Sequence, residues 1–209
     1  MKAFLLILVA VIIVALVITG LMFGSVYNGL VSKEEGVSGA WAQVENVYQR
    51  RADLVPNLVE TVKGYAAHEK ETLQSVIDAR SRIGKIDTSS KIISSPDMLA
   101  KFQDAQTQLS SAIGRLLVVV ERYPDLKASQ NFLALQNQLE GTENRITVER
   151  RRFNEAAQDY NAFRRQFPNC VVANMAGFRN KAYFQADQDA RTVPQVKFPL
   201  VHGVIVVIP

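Results

Sequence analysis

The sequence opens with an apolar run long enough to cross a lipid bilayer. No charged residue lies between Ala3 and Thr19, and the apolar character resumes as Leu-Met-Phe after Gly20. A helix of about 20 apolar residues spans the hydrocarbon core of a membrane. We therefore predict a transmembrane anchor at residues 1–25. Its membrane-facing side chains are predicted to be Ala3, Phe4, Leu5, Leu6, Ile7, Leu8, Ile12, Ile13, Leu16, Ile18, Leu21 and Phe23.

A cleaved signal peptide is the main alternative for this run, because Met1-Lys2 gives it a short basic start. The run is longer than the usual signal-peptide core of about 7–15 residues, and no clear A-x-A-like cleavage site follows it. Orientation is nearly a tie under the positive-inside rule, since Lys2 flanks one end and Lys33 the other, beside two glutamates. We expect a single pass through a bacterial cell membrane, with the domain on the periplasmic side.

After the anchor, apolar residues recur at helical spacing. From Lys33 to Gly84 this pattern predicts one long amphipathic helix. Pro56 lacks a backbone N–H, so we expect a kink or a brief break near residues 54–56. Gly84 is a suitable position for the helix to stop.

Two further helices follow a serine-rich loop. The sequence Ser95-Pro96-Asp97 supplies an N-cap, a proline suited to the first turn and a negative charge at the helix N-terminus. The helix that begins there has one polar residue, Gln106, in its apolar seam, and we expect it to end at Pro124. A third helix is predicted from Asp125 to Gln166. Its seven-residue repeat consists of Leu139, Ile146, Phe153, Tyr160 and Phe167.

A sustained seven-residue repeat indicates helices that supercoil around neighbours. Short connections favour antiparallel neighbours, so we predict an all-α fold: an N-terminal transmembrane helix followed by an elongated antiparallel three- to four-helix bundle with a short extended C-terminal tail. The predicted divisions are the anchor at 1–25, a juxtamembrane linker at 26–32, the bundle at 33–178 and the tail at 179–209.

The tail ends in a β-branched run that is too short to span a membrane as a helix. It predicts a β-strand at 203–208, and one strand needs a partner. The alternatives are a flap over the end of the bundle, edge-to-edge pairing between the tails of several copies, and contact with the membrane interface. The residues of this candidate self-association tail are Val204, Ile205, Val206, Val207 and Ile208.

Nothing in the sequence matches a familiar catalytic motif. Phosphate-binding glycine loops and the G-x-S-x-G motif do not occur, and the HEKE string at His68 lacks the second histidine of H-E-x-x-H. One cysteine, Cys170, forms neither an intramolecular disulfide nor a zinc site by itself. A net charge of +4 is too mild to indicate a nucleic-acid partner. We predict no catalytic residues, no cofactor and no metal.

The basic clusters at 50–51, 150–152 and 164–165 have two interpretations. They can bind anionic lipid headgroups or phosphates, or they can form ion pairs with the acidic residues interleaved with them, which the pattern favours. Trp41, Tyr48, Tyr65 and Tyr160 lie on apolar stripes and are predicted to pack in the core. Tyr27 follows the anchor directly and suits an interfacial aromatic position.

Several segments carry a resemblance to a known family. They are YNGLV (27–31), AWAQVENVYQRRADLVPNLVETVKGYAAHEKETLQSVIDAR (40–80), YPDLKASQNFLALQNQLEGTENRITVERRRFNEAAQDYNAFRRQFP (123–168) and YFQADQDARTVPQVKF (183–198). In them the chain resembles the LemA family of membrane-anchored helical proteins. The resemblance implies an N-terminal anchor with an antiparallel helical domain, and no established enzymatic activity. The motif residues are Tyr27, Asn28, Arg50, Arg51, Asp53, Leu54, Pro56, Asn57, Leu58, Tyr65, His68, Glu69, Tyr160 and Asn161.

These features favour a non-enzymatic, membrane-anchored scaffold or adaptor that forms homo-oligomers, because anchored identical bundles can close into symmetric rings. The alternative is a binding module of an envelope stress or quality-control protease system. An enzyme would need an active site shared between copies, and no residues of one chain suggest it.

Overall fold

The fold is described from a computed structural model, in which residues 2–89 and 91–185 are described. Helix α1, Lys2–Tyr65, contains 64 residues, which corresponds to about 96 Å. Its N-terminal apolar side chains are exposed, whereas one face is buried from Leu30 onward. Within the described ranges, α1 is the one helix long and apolar enough to cross a membrane.

The helices that follow run alternately back toward and away from the apolar end of α1. They are α2 (Lys70–Ile83), α3 (Pro96–Val120), α4 (Pro124–Lys127), α5 (Gln130–Arg165) and α6 (Asn169–Met175), with a 3-10 turn at Ile92–Ser94. Long α5 packs antiparallel along α1, and α2 packs on α3. All regular structure in the described residues is helical, which confirms the predicted all-α fold with a long apolar N-terminal helix.

The predicted break near Pro56 does not occur, because α1 continues through this proline. Proline cannot donate to the carbonyl four residues earlier, which is that of Ala52. Arg80 of α2 supplies the missing donor, since its Nε lies 2.8 Å from the Ala52 oxygen. The orphaned carbonyl is therefore satisfied by a neighbouring helix, and the proline ring lies on the exposed face.

The single helix predicted from Lys33 to Gly84 is instead two helices, α1 and α2, joined by a turn at residues 66–69. Folding α2 back buries Leu73 and Val76 against the bundle. The turn is held by Glu69, whose carboxylate accepts hydrogen bonds from Arg122 and the Tyr123 hydroxyl at 2.8 and 3.1 Å. Apolar spacing persists through the turn because both helices face the same core.

The other helix ends agree more closely with the sequence. Ser95 Oγ accepts from the Met98 N–H at 3.4 Å, and Gly84 is the C-terminal cap of α2. The third long helix begins at Gln130 rather than Asp125, because residues 124–127 form the separate short helix α4. Two predicted core residues were placed wrongly: Phe167 is 84% exposed and Tyr65 is half-exposed.

The bundle interior consists of two apolar clusters. The proximal cluster, which is nearer the apolar end of α1, is centred on Trp41. The Trp41 ring lies 5.5, 5.6 and 6.1 Å from those of Phe102, Phe153 and Phe184. The distal cluster contains Leu58 and the side chains packed around it on α2, α3 and α5. Arg51 lies at the level where the two clusters meet.

The proposed domain divisions can be placed on this architecture. Residues 26–32 are helical within α1, and Leu30 is fully buried. Residues 179–185 lie against the bundle, where Ala182 and Phe184 join the proximal cluster. The predicted strand at 203–208 lies outside the described residues, and the divisions remain predictions.

Candidate functional site

The most unusual group in the interior is the guanidinium of Arg51, which is only 2% exposed. Its Nη1 donates to Ser110 Oγ at 2.7 Å and to Glu143 Oε1 at 2.6 Å. Its Nη2 donates to the main-chain and side-chain oxygens of Gln106, and its carbon lies 5.1 Å from the centre of the Tyr48 ring. One side chain of α1 thus binds both α3 and α5.

Burying this polar cluster costs free energy, and some of its hydrogen-bonding atoms have no partner among the described residues. Glu143 is 46% exposed, so its carboxylate stays partly hydrated, whereas Arg51 Nε and Gln106 Nε2 are buried without a hydrogen-bond partner in the described part of the chain. The rigid fork of a guanidinium meets its acceptors in only one alignment. The cluster therefore fixes the register of α1 against α3 and α5.

A second polar arrangement holds residues 178–185, here called the C-terminal strap. Three amide side chains on the helices each accept from the N–H and donate to the C=O of one strap residue. The pairs are Asn161 with Lys181, Asn154 with Phe184, and Gln103 with Gln185. The six donor–acceptor distances lie between 2.8 and 3.3 Å. Side chains of the helices thereby supply the main-chain hydrogen-bond partners that a neighbouring strand normally provides to an extended segment.

Further contacts fix the strap between α5 and the 3-10 turn. The Ala182 N–H donates to the Ile93 carbonyl at 2.8 Å, and the Tyr160 hydroxyl donates to the Arg179 carbonyl at 2.9 Å. The strap is consequently a structural part of the bundle rather than a free extension.

Lys181 links the strap to α1. Its Nζ lies 2.6 Å from Glu34 Oε1 and 3.2 Å from Ser94 Oγ, and its side chain is 6% exposed. Burial, together with the negative charge of Glu34, raises the pKa of the neighbouring Tyr160 to about 12, against an opposing effect of Arg164. A tyrosine charges only when it loses its proton, so the folded bundle keeps Tyr160 neutral.

This shift predicts a pH-dependent stability. Between pH 10 and about 12 the unfolded chain releases the Tyr160 proton while the folded chain retains it. The contribution of neutral Tyr160 to the free energy of unfolding is therefore complete below pH 10 and is lost as the pH rises through the folded pKa. We expect Tyr160→Phe to lower the free energy of unfolding by about 1 kcal/mol at neutral pH, because one hydrogen bond is lost. The difference in stability between the two proteins should become smaller in alkali, because only the unsubstituted protein loses the contribution of Tyr160. Urea unfolding of both proteins at several pH values checks this, and a gap that widens in alkali contradicts it.

The structure distributes the predicted motif residues over both surface and interior. The buried ones are Arg51, Leu54, Leu58, Tyr160 and Asn161; the exposed ones are Tyr27, Asn28, Arg50, Asp53, Pro56, Asn57, Tyr65 and His68; Glu69 is half-buried. The buried members fall into the two polar arrangements and the core. The motif thus does not converge on a single pocket.

The basic clusters divide in the same way. Arg51 pairs with Glu143 across helices, while Arg151 and Arg152 pair with glutamates on their own helix at 3.6 and 2.9 Å. Arg164 Nε donates to the Phe178 carbonyl at 2.9 Å. These four arginines are thus engaged in contacts within the bundle.

Sequence reasoning missed several participants in these arrangements. Glu143, Ser110, Asn154 and Lys181 were not predicted, although Gln106 was recognised as a polar residue in an apolar seam. A polar side chain at a seam position signals a buried partner, and this is the one pattern that pointed to the Arg51 cluster.

The grooves on the described part of the bundle include two open ones. One, of about 510 Å³, lies between α2 and α3 and includes Asp78, Arg82 and Arg115. The other, of about 570 Å³, lies beside Glu34 and Lys181. In the part of the chain that the structure describes, no three His, Cys, Asp or Glu side chains are grouped so that they could hold a metal.

The fold and its interior define an antiparallel helical bundle with structural polar clusters, whose first helix extends beyond the bundle as an uncovered apolar rod. The sequence model of the LemA family matches residues 40–198. Because the match covers more than half of the chain, this chain belongs to the LemA family.

Curated relatives agree with this assignment. The chain is 26% identical over 199 residues to the magnetosome protein MamQ of Magnetospirillum gryphiswaldense, covering 85% of this chain and 73% of that protein. It is 27% identical to MamQ 2 of Paramagnetospirillum magneticum, covering 76% and 64% of the two chains. It is 28% identical to protein LemA of Metamycoplasma hominis, covering 78% and 71%. None of these names is that of an enzyme.

Proposed function

We propose that this LemA-family chain is a non-enzymatic helical scaffold, anchored in a bacterial cell membrane by α1 and assembling there with copies of itself. The observation that supports it is the continuity of α1 from its exposed apolar segment into the bundle core. A bundle built on the same helix as its anchor is oriented by that anchor relative to the bilayer.

Anchoring favours assembly for a physical reason. Copies confined to one membrane in one orientation have a high effective concentration, so weak lateral contacts suffice. Identical subunits with a common axis normal to the membrane can close into rings. The tail residues 204–208 are a proposed contact between copies.

The expected result is a discrete homo-oligomer of the full-length protein in lipid nanodiscs, seen by mass photometry over a range of concentrations. A monomer at every concentration contradicts the scaffold. Comparison with a chain ending at Phe198 locates the contact: loss of the oligomer assigns it to the tail, and retention assigns it to the bundle.

A reporter fused after Pro209 tests the proposed periplasmic side of the domain.

A second candidate function is a binding module of an envelope stress or quality-control protease system. The observation that favours it is the open groove of about 570 Å³ beside Glu34 and Lys181, whose polar lining offers hydrogen-bond partners to a segment of a client protein. Isolation of a stoichiometric complex with a different protein, from membranes in which the chain is monomeric, supports this function over self-assembly.

A further inference from the structure

An exposed apolar face lies at the corner where α5 ends and α6 begins. Phe167, Val171 and Met175 are 84%, 50% and 74% exposed and follow one another at intervals of four residues. Val171 and Met175, four residues apart, lie on the same side of α6, and Phe167 lies in the connection between α5 and α6, two residues before α6 begins. The other side of α6 is buried through Val172 and Ala173. The short helix is therefore amphipathic, with its outer side uncovered.

This corner lies beside the point where α1 leaves its apolar segment. Val172 and Ala173 share the proximal cluster with Leu30, and the Tyr27 ring lies 5.6 Å from that of Phe178. Gly29 lets α5 approach closely, since a Cβ there would lie 2.8 Å from the Phe163 ring.

The register of α5 locates the corner along α1. Antiparallel helices advance by the same rise in opposite directions, about 1.5 Å per residue. Phe163 lies opposite Gly29, so Arg165, where α5 ends, lies close to the level of Tyr27, four residues after Phe23. The corner therefore lies beside the end of the exposed apolar segment of α1.

Positive charge surrounds the same corner. Lys33 lies over the Phe163 ring, 5.5 Å from its centre, and Arg165 and Arg179 are exposed. Among the described residues, the ion pairs include none of these three side chains. An amphipathic element that combines apolar and basic side chains is typical of a surface that rests at a bilayer interface.

We infer that the α5–α6 corner docks on the lipid bilayer, with Phe167, Val171 and Met175 at the boundary between headgroups and acyl chains. The inference rests on the proposed anchoring by α1 and adds a second contact with the same membrane. The bundle is then held at two points, which limits its tilt about the end of the anchor.

The test uses the full-length chain in vesicles of phosphatidylcholine and phosphatidylglycerol. Single cysteines are introduced in a Cys170→Ser background, labelled with an environment-sensitive fluorophore, and quenched either by lipids brominated at a series of depths from the headgroup boundary to the bilayer centre or by aqueous iodide. Phe167→Cys reports the corner and Ile12→Cys the anchor. Val118→Cys is the matched control, because Val118 is 70% exposed but lies near the distal end of α3.

We expect lipid quenching of the label at 167 to be several-fold stronger than at 118, with the reverse order for iodide. Quenching by lipid at 12 but not at 167 overturns the docking and leaves the anchor intact, whereas no lipid quenching at 12 refutes the anchor itself. Protection of 167 from both quenchers also overturns the inference, because the corner is then covered by protein. A chain ending at Phe198 then distinguishes the tail from a second copy.

Discussion

Replacement of Arg51 by alanine is expected to lower the free energy of unfolding by about 2–4 kcal/mol, since buried polar groups left without a partner cost about 1–3 kcal/mol each. The substitution leaves the side chain and carbonyl of Gln106 without their donor and opens a cavity beside Tyr48. Trp41 is the sole tryptophan and lies in the core, so its fluorescence during urea unfolding of the detergent-solubilised protein measures the loss.

Arg50 supplies a matched control, because it is the same residue type one position earlier on the exposed face of α1. Arg50→Ala is expected to change stability by no more than about 0.5 kcal/mol. The double variant Arg51→Met with Gln106→Leu is expected to regain much of the loss, since replacing both partners of a buried hydrogen bond by apolar groups can be nearly neutral. Equal stabilities of Arg51→Ala and Arg50→Ala would contradict a structural role for the cluster.

Removal of the Asn161 amide is expected to release the C-terminal strap. Asn161→Ala abolishes three hydrogen bonds, two of them to the backbone of Lys181 and one to the Tyr183 hydroxyl. Buried main-chain groups left without partners cost about 1–3 kcal/mol each, so we expect about 2–4 kcal/mol in total. Hydrogen exchange at the Lys181 amide and tryptic cleavage after Lys181 should both become faster.

Asn57 is the control for this variant, since its side chain is exposed on α1. Asn57→Ala is expected to leave exchange and cleavage of the strap unchanged. If Asn161→Ala slows unfolding or leaves the Lys181 amide protected, the strap is held by its apolar side chains and not by the amides.

The sequence predicted the helices well and their ends less well, for a definite reason. Apolar spacing reports which residues face the core, and it does not change where the chain reverses if both helices face the same core. The turn at residues 66–69 could therefore not be predicted from the apolar spacing. Pro56 gave the opposite error, because the donor that satisfies Ala52 comes from Arg80, 28 positions along the chain.

The polar arrangements were only partly accessible from the sequence. Gln106 marked a seam position that demands a partner, but Glu143 lies 92 residues from Arg51 and looks like any surface glutamate of a long helix. The strap could not be recognised as part of the bundle, since amides that bind main-chain groups impose no pattern on the side chains they hold. The seven-residue spacing of Asn154 and Asn161, which places both amides on one side of α5, is the sequence feature that relates to the strap.

The unbroken course of α1 through Pro56 has a mechanical consequence. Between Ser25 and Tyr65 the helix is about 60 Å long, so in the proposed embedded state it works as a lever whose short arm lies in the lipid. A tilt of about 10° moves the distal turn sideways by about 10 Å, and tilt follows the thickness of the bilayer. In that proposed state the distal end of the bundle is the part whose position depends most strongly on the tilt of the anchor.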